Sequence, residues 1–323
     1  MKVLMLVIDQ QRIQLESLYE GIAKHCSLDL RRLSTKEQSN LSRYFKKNID
    51  TQKYGRTILF IRFKWALRQT DFIKKIPNLV ILEHDACQNF IPQSKYYRKF
   101  SRYFNTVSGA KILVSGATIA EKFRKKDNAD ATFIPKGYDQ NLLKNTHQSR
   151  TIELGFIGSI DRDTYIERKK ILDRAKEELG LFVTRTNSGH DYLEKLNNIR
   201  FFLSADIGLG ENMIKNFEAM ACGCILIAFN QGDFENQALG FKDMNNIVLY
   251  DNFDTLERKL RKLQANNELC ITISRNGQNL AEENFSFNRI GEKIIDEIAK
   301  PLREKKRSII FNFLRKNKNS QRP

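Results

Sequence analysis

The sequence predicts an α/β protein made of two Rossmann-like halves, and three observations carry that expectation. At 323 residues the chain exceeds one ordinary core and suits two domains of about 150 residues each. Short apolar, β-branched runs alternate with longer helical patterns, as in parallel sheets covered by helices. The alternation then restarts near Thr151, after a polar stretch without periodicity from Gly137 to Arg150 that follows the turn signal Pro135-Lys136-Gly137.

The first half offers strands at Val3 to Ile8, Leu28 to Leu33, Thr57 to Phe63, Leu79 to Glu83, Lys111 to Ser115 and Thr132 to Pro135. The second offers Thr151 to Gly158, Leu181 to Thr186, Asp206 to Leu209, Ile225 to Phe229 and Asn246 to Tyr250, with helices to about Leu179, near Tyr192 and from Asn212. After Asp254 the pattern is helical with a break at Phe285-Ser286. There Ser286 is the expected N-cap of a helix carrying Ile290, Ile294, Ile295 and Ile298. The expected domains are 1-148, 149-285, a crossover helix 286-300, and a basic tail 301-323 that is amphipathic or disordered.

No run approaches the roughly 18 consecutive apolar residues of a spanning helix, and Asp9 cuts the opening run short of a signal-peptide core. The five cysteines are scattered and lack C-x-x-C spacing, which argues against a disulfide framework or a zinc knuckle and for a cytoplasmic protein. The net charge of +17 is uneven: +15 over residues 1 to 150, −6 over 151 to 299, and +8 from Lys300 onward. Such polarity points the first half and the tail toward an anionic lipid surface or nucleic acid. The segment Lys95 to Phe104, KYYRKFSRYF, interleaves Lys95, Arg98, Lys99 and Arg102 with five aromatics. On one helical face that composition suits an anionic membrane surface, preferred here to nucleic acid, which the same residues would also serve.

The most informative segment is Ala205 to Ala228, ADIGLGENMIKNFEAMACGCILIA, which reads as strand, Gly-rich turn, helix, Gly stop and strand. A helix N-terminus at the carboxyl end of parallel strands offers free N–H groups to phosphate. Glu211 and Glu218, seven apart, fall on one face of that predicted helix, where carboxylates can accept hydrogen bonds from sugar hydroxyls. The alternative is that Glu211 complements the helix dipole and Glu218 is a solvated face residue.

The run Phe217 to Gly223 contains EAMACG and resembles a segment of GT-B glycosyltransferases, and GENMIKNFEAMACG is most similar to the CgeB-like (spore maturation) branch. Three further landmarks are similar to that family: Phe133-Ile-Pro-Lys-Gly-Tyr-Asp139 to the turn joining the domains, Leu154-Gly-Phe-Ile-Gly-Ser159 to the first strand and phosphate loop of the donor domain, and Phe285-Ser286 to the start of the closing helix. The resemblance spans about residues 133 to 290. It implies two Rossmann-like domains facing across a cleft, a nucleotide-sugar donor as substrate with no cofactor, and a returning C-terminal helix. It also implies transfer to a hydroxyl of a membrane-associated glycan or glycolipid, of the lipopolysaccharide-core type, at the inner face of the membrane.

Residue by residue, Glu218 matches the second glutamate of the family's paired motif, which implies contact with the donor ribose. The first glutamate's place holds Gly210, with Glu211 displaced by one, and the family's Gly-Gly turn after the first strand is replaced by Asp9-Gln10-Gln11. Donor-binding candidates are therefore Gly158, Ser159, Arg162, Arg168, His190, Gly210, Glu211, Asn212, Met213 and Glu218. Arg162 and Arg168 are placed to stabilise charge on a departing diphosphate, or else to pair with Asp163 and Glu167 on a helix surface. Asp161-Arg162-Asp163 also spells a metal-nucleotide D-x-D motif, but it reads as a helix cap, and no metal is expected. Glu83-His84-Asp85 follows an apolar strand and puts His84 and Asp85 on the cleft side, as catalytic groups acting on the acceptor hydroxyl or as a structural pair.

Overall fold

The computed structural model describes residues 1–9, 15–160 and 166–303. Two fully parallel sheets form the frame. The first runs β1 (Lys2–Ile8), β2 (Ser27–Leu33), β3 (Arg56–Phe60), β4 (Leu79–Glu83), β5 (Lys111–Val114) and β6 (Ala131–Phe133), in spatial order β2-β1-β3-β4-β5-β6. The second runs β7 (Ile152–Ile157), β8 (Phe182–Thr184), β9 (Ile199–Ser204), β10 (Ile225–Phe229) and β11 (Val248–Tyr250), in order β11-β10-β9-β7-β8. Central strands such as Val3 to Val7 are buried on both faces, which explains their continuous rather than alternating apolar character.

One predicted strand is displaced. The extended segment is Ile199–Ser204, and Asp206 to Leu209 is a turn. Gly208 (φ 74°) and Gly210 (φ 68°) take the left-handed region, which an extended strand cannot use. Asp206 is a buried acceptor for Arg168 (2.7 Å), Ser204 Oγ (3.1 Å), Asn216 Nδ2 (3.2 Å) and the Met213 N–H (3.0 Å). The following helix consequently starts at Ile214, not Asn212, so Glu211 precedes it and does not share a helical face with Glu218.

The aromatics of KYYRKFSRYF have a different destination from the one expected. In the helix Lys99–Thr106, Phe100, Tyr103 and Phe104 are at most 2% exposed, and Phe63 stacks on Phe100 with ring centroids 3.6 Å apart. These rings fill the core of the first half, leaving Lys95, Arg98, Lys99 and Arg102 exposed with Tyr97 as the one exposed aromatic of the segment. The tail from residue 304 and the Asp161-Arg162-Asp163 motif lie outside the described residues. Among the described residues no helix is long and apolar enough to cross a membrane.

The chain returns to its first half through the helix Phe287–Ala299, whose N-cap Ser286 accepts the Arg289 N–H. Its apolar face, Ile290, Ile294, Ile295 and Ile298, joins the core beneath β1 together with Leu18 and Ile22 of the helix Glu16–Ala23. The two helices touch backbone to backbone. A Cβ on Gly291 would lie 2.4 Å from the Gly21 carbonyl carbon, and one on Gly137 would lie 2.3 Å from the Phe285 oxygen. Tyr138 and its neighbours bridge there, Tyr138 N–H donating to Phe285 O (2.9 Å) and Phe287 N–H to Tyr138 O (2.9 Å). Gly291→Ala must push the two helices apart. The expected cost is about 1–3 kcal/mol, read as a lower midpoint in chemical denaturation, and an unchanged midpoint would show that the contact is slack.

Candidate active site

The segments that follow β3, β4, β5 and β6 of the first sheet meet the segment that follows β9 of the second at one cleft. Its N-terminal wall holds a cavity of about 520 Å³ lined by Phe60 to Lys64, Glu83 to Asp85, Tyr96 and Lys136, closed from the other half by Met213 and Ile214. The crevice at strand carboxyl ends is where open parallel sheets take ligands.

Three ionisable groups of β4 and its loop behave differently. Burial, with the charge of Asp85 beside it, pushes the Glu83 carboxyl up to about 8, and its Oε1 accepts the Asp85 N–H (2.9 Å). Burial and the nearby Lys136 drive His84 down to about 3, so its ring is neutral. That ring rests edge-on against Phe60 at 5.0 Å, and its Nε2 is buried without a hydrogen-bond partner among the described residues. Asp85 is exposed.

Across the cleft, Glu211 is fully buried. It accepts from Ser115 Oγ (2.7 Å) and Lys136 Nζ (3.2 Å), both from the first half. Glu235, in the helix Asp233–Leu239, is also fully buried and accepts the Thr118 N–H (2.8 Å) at the start of the helix Ala117–Asp127. Two carboxylates of the second half therefore dock on the first half, one on a lysine and one on a helix N-terminus. The structure turns Glu211 toward the facing domain and away from Glu218.

Glu218 has another environment. It sits in the helix Ile214–Ala221, and Tyr192 Oη from the helix His190–Asn198 donates to its Oε2 at 2.5 Å. Burial pushes its carboxyl up to about 7, opposed by the Tyr192 hydrogen bond and by Lys215. The N-terminus of this helix has Met213 as N-cap with no side-chain cap. Lys215, one turn before Glu218, donates to Ile157 O at the end of β7 and stands by Gly158, where a Cβ would be 3.1 Å from its Nζ. Arg185, after β8, donates to Ser159 Oγ at 2.6 Å. Gly158, Ser159, Arg185, Lys215 and the bare helix N-terminus thus surround one loop, a set of donors and cations suited to a diphosphate.

Of the other sequence-derived candidates, Arg168 lies in the helix Ile166–Glu178 and pairs with Asp206 while donating to Ala205 O (3.1 Å), so it buttresses the 205–213 turn. Asn212 is buried and accepts from Asn216 Nδ2 (2.9 Å), and the Gly210 N–H is taken by Gln231 Oε1 (3.0 Å). His190 is exposed at the start of its helix, and Arg162 lies outside the described residues. Tyr192, Lys215, Arg185 and Glu83 were not legible as site residues. Only the last had a sequence signal, its place at the carboxyl end of an apolar strand. Cys222 and Cys224, flanking Gly223, are buried free thiols raised by burial. Among the described residues no group of three or more His, Cys, Asp or Glu could hold a metal ion.

The raised carboxyls make stability depend on pH with a definite sign. Glu83, Glu218 and Glu235 have an ordinary value of 4.5 and reach about 8, 7 and 7 in the fold, so near neutrality the folded state binds more protons than the unfolded one. His84, depressed to about 3, contributes the opposite slope, but only below its ordinary value of 6.5. Between about pH 6.5 and 8 the carboxyls act without that opposition, and stability is expected to fall as pH rises. Denaturant titrations across that window check this, and Glu83→Gln should flatten the fall; a rise would refute it.

Comparison with known proteins bears on the fold. Residues 167–296 match a family model described as glycosyl transferase-like. No curated protein matches the chain by sequence. Among solved structures, Anabaena HepE in complex with UDP superposes with a TM-score of 0.63 at 14% identity, over 93% of this chain and 100% of that one. A glycosyltransferase from Rickettsia africae gives 0.62 at 11% identity, over 93% and 99%. A DNA-modifying β-glucosyltransferase, studied with and without uridine diphosphoglucose, gives 0.59 at 13% identity, over 93% and 100%. The chain thus has the GT-B fold seen in glycosyltransferases, and its residues 167–296 match a glycosyl transferase-like family model.

Proposed function

We propose that the protein transfers a sugar from a nucleoside-diphosphate donor, held by the second half, to a hydroxyl of an acceptor seated in the cleft cavity. The observation that carries this reading is the constellation around Gly158 and Ser159: two cations, an uncapped helix N-terminus, and Glu218 one turn beyond. The diphosphate lies against that loop, and Glu218 accepts hydrogen bonds from the donor ribose. UDP is the first nucleotide to try, because Anabaena HepE was solved with UDP and with UDP-glucose. Among relatives, the CgeB-like branch is the one to which we assign the chain.

The bond that breaks joins the sugar's anomeric carbon to the diphosphate, and the bond that forms joins that carbon to the acceptor oxygen. The acceptor proton passes to the departing phosphate, a course that keeps the anomeric configuration and needs no metal. Lys215, Arg185 and the helix N-terminus stabilise the charge gathering on the leaving group. His84, neutral and with Nε2 free, and Asp85 orient the acceptor hydroxyl. The acceptor is a membrane-associated glycan or glycolipid of the lipopolysaccharide-core type, met by the basic first half at the inner membrane face. The +15 charge of that half and the fold likeness to a DNA-modifying enzyme favour one other acceptor class, nucleic acid.

A thermal-shift screen of nucleoside diphosphates and their sugars tests the donor site. One nucleotide should raise the midpoint selectively, and Glu218→Ala should reduce that rise, each rise being measured from that protein's own ligand-free midpoint. No shift with any nucleotide would sink the reading. Asp85→Ala separates the two halves of the reaction: slow donor hydrolysis should persist while transfer falls by about tenfold or more. Equal loss of both would make Asp85 part of the donor chemistry or of the fold.

A further inference from the structure

A second cavity, of about 480 Å³, opens on the first half beside Phe90 and away from Glu83 and His84. The helix Ala117–Asp127 forms one wall and divides its cations unevenly. Arg124 and Lys125 pair with Glu121 at 2.7 and 2.8 Å. Lys122 and Lys126 line the cavity one turn apart, and neither is among the close ion pairs of the described residues, though the Glu235 carboxyl acts on Lys122 from farther off. Like charges at that spacing repel. Burial, reinforced by Lys126, holds Lys122 below the ordinary lysine range. Both ammonium groups lie over the Phe90 ring, at 5.2 and 5.8 Å from its centroid, which keeps them pointed at the cavity.

Arg98 is a third cation in the lining, its guanidinium 5.1 Å from the centroid of the Tyr97 ring, which also lines the cavity. Its backbone is left-handed, with φ 56° and ψ 6°, a strained conformation for a residue that is neither Gly nor Asn. Asn89 holds it there. Asn89, 2% exposed, accepts the Arg98 N–H on its carbonyl (3.0 Å), donates to Ser101 Oγ (2.8 Å) and accepts the Ser101 N–H (3.0 Å). Ser101 Oγ in turn donates to Asp127 Oδ2 at 2.7 Å. Among the described residues that line the cavity Asp127 is the only carboxylate, held by Ser101 through one oxygen, against three cations.

We propose that this cavity binds a phosphoryl group, with Arg98 gripping it by its planar fork and Lys122 and Lys126 neutralising it. Arginine with two lysines suits a dianionic oxygen cluster better than it suits a carboxylate. The position suits an acceptor that carries phosphate, since the Lys122 ammonium is 3.7 Å from where a Cβ on Gly210, in the turn across the cleft, would sit. The phosphoryl group belongs either to a phosphorylated acceptor sugar or to a lipid headgroup at the membrane. The site shares no residue with the nucleotide cradle, so its failure and the failure of the donor reading are separate results.

The test is calorimetric titration of the full chain with glycerol 3-phosphate, alongside co-sedimentation with phosphatidylcholine vesicles with and without phosphatidic acid. The variants are K122Q/K126Q, R98G, and K46Q/K47Q, a remote pair losing the same charge from exposed lysines of the helix Leu41–Asn48. Glycerol 3-phosphate should bind the wild type, weaken by about tenfold or more in K122Q/K126Q, and stay nearly unchanged in K46Q/K47Q. R98G should weaken binding too while raising the thermal midpoint, because glycine relieves the left-handed strain, so its loss cannot be blamed on unfolding. If vesicle binding falls in the same variants, the phosphate is a lipid headgroup. If vesicle binding holds while glycerol 3-phosphate is lost, it belongs to a soluble acceptor. No binding of glycerol 3-phosphate, or equal weakening in the remote pair, would overturn the proposal.

Discussion

The arrangement of the two halves depends on the buried contact between Glu211 and the Ser115–Lys136 pair. Glu211 and Lys136 have side chains 0% and 5% exposed, so each charge has exchanged water for the other. Taking both out of water is expensive, and their attraction offsets that cost only while both are present and correctly placed. Removing one partner of such a pair typically costs about 3–5 kcal/mol. The contact therefore acts less as a source of stability than as a constraint on register. It holds the 205–213 turn against the ends of β5 and β6, and so fixes where Met213 and Ile214 close the cleft cavity.

That constraint separates what sequence could show from what it could not. The alternation of apolar runs and helical patterns, the restart near Thr151 and the Ser286 cap are local signals, and the two parallel sheets and the returning helix follow them. Glu211 is a different case. As a residue seven before a helical glutamate with a glycine at its side, it reads as a ligand for a sugar. Its actual partners are 96 and 75 residues away in the chain. No spacing rule reaches that far. Lys136 was visible only as one residue of a turn, and its side chain answers the charge of a residue in the other domain.

The same distinction explains KYYRKFSRYF and the missed strand. Basic and aromatic residues in alternation fit an interfacial helix equally well and a core helix with a charged outer face. Phe63, in a segment extended by sequence and helical in fact, decides the matter by stacking on Phe100. Ile199–Ser204 sits between a helix and a glycine-rich turn, and the strand's end is set by Asp206, whose four donors come from β9, the turn and two helices. A buried aspartate at a strand terminus looks polar in sequence and therefore looks like a loop. It is the acceptor that makes the loop rigid.

The uneven charge of the chain acquires meaning from these contacts. Charges beyond about 10 Å in ordinary salt are screened, so an excess of +15 on one half and −6 on the other does little to hold them together at a distance. What joins them is local: Glu211 on Lys136 and Glu235 on the N-terminus of the helix Ala117–Asp127, two acids from the acidic half on two positive sites of the basic half. Lys136 is thereby paired within the protein. Lys122 and Lys126, on the helix whose first turn Glu235 occupies, are left facing a cavity. The domain contact thus sorts the cations of one wall into those that close the cleft and those that remain for whatever approaches it.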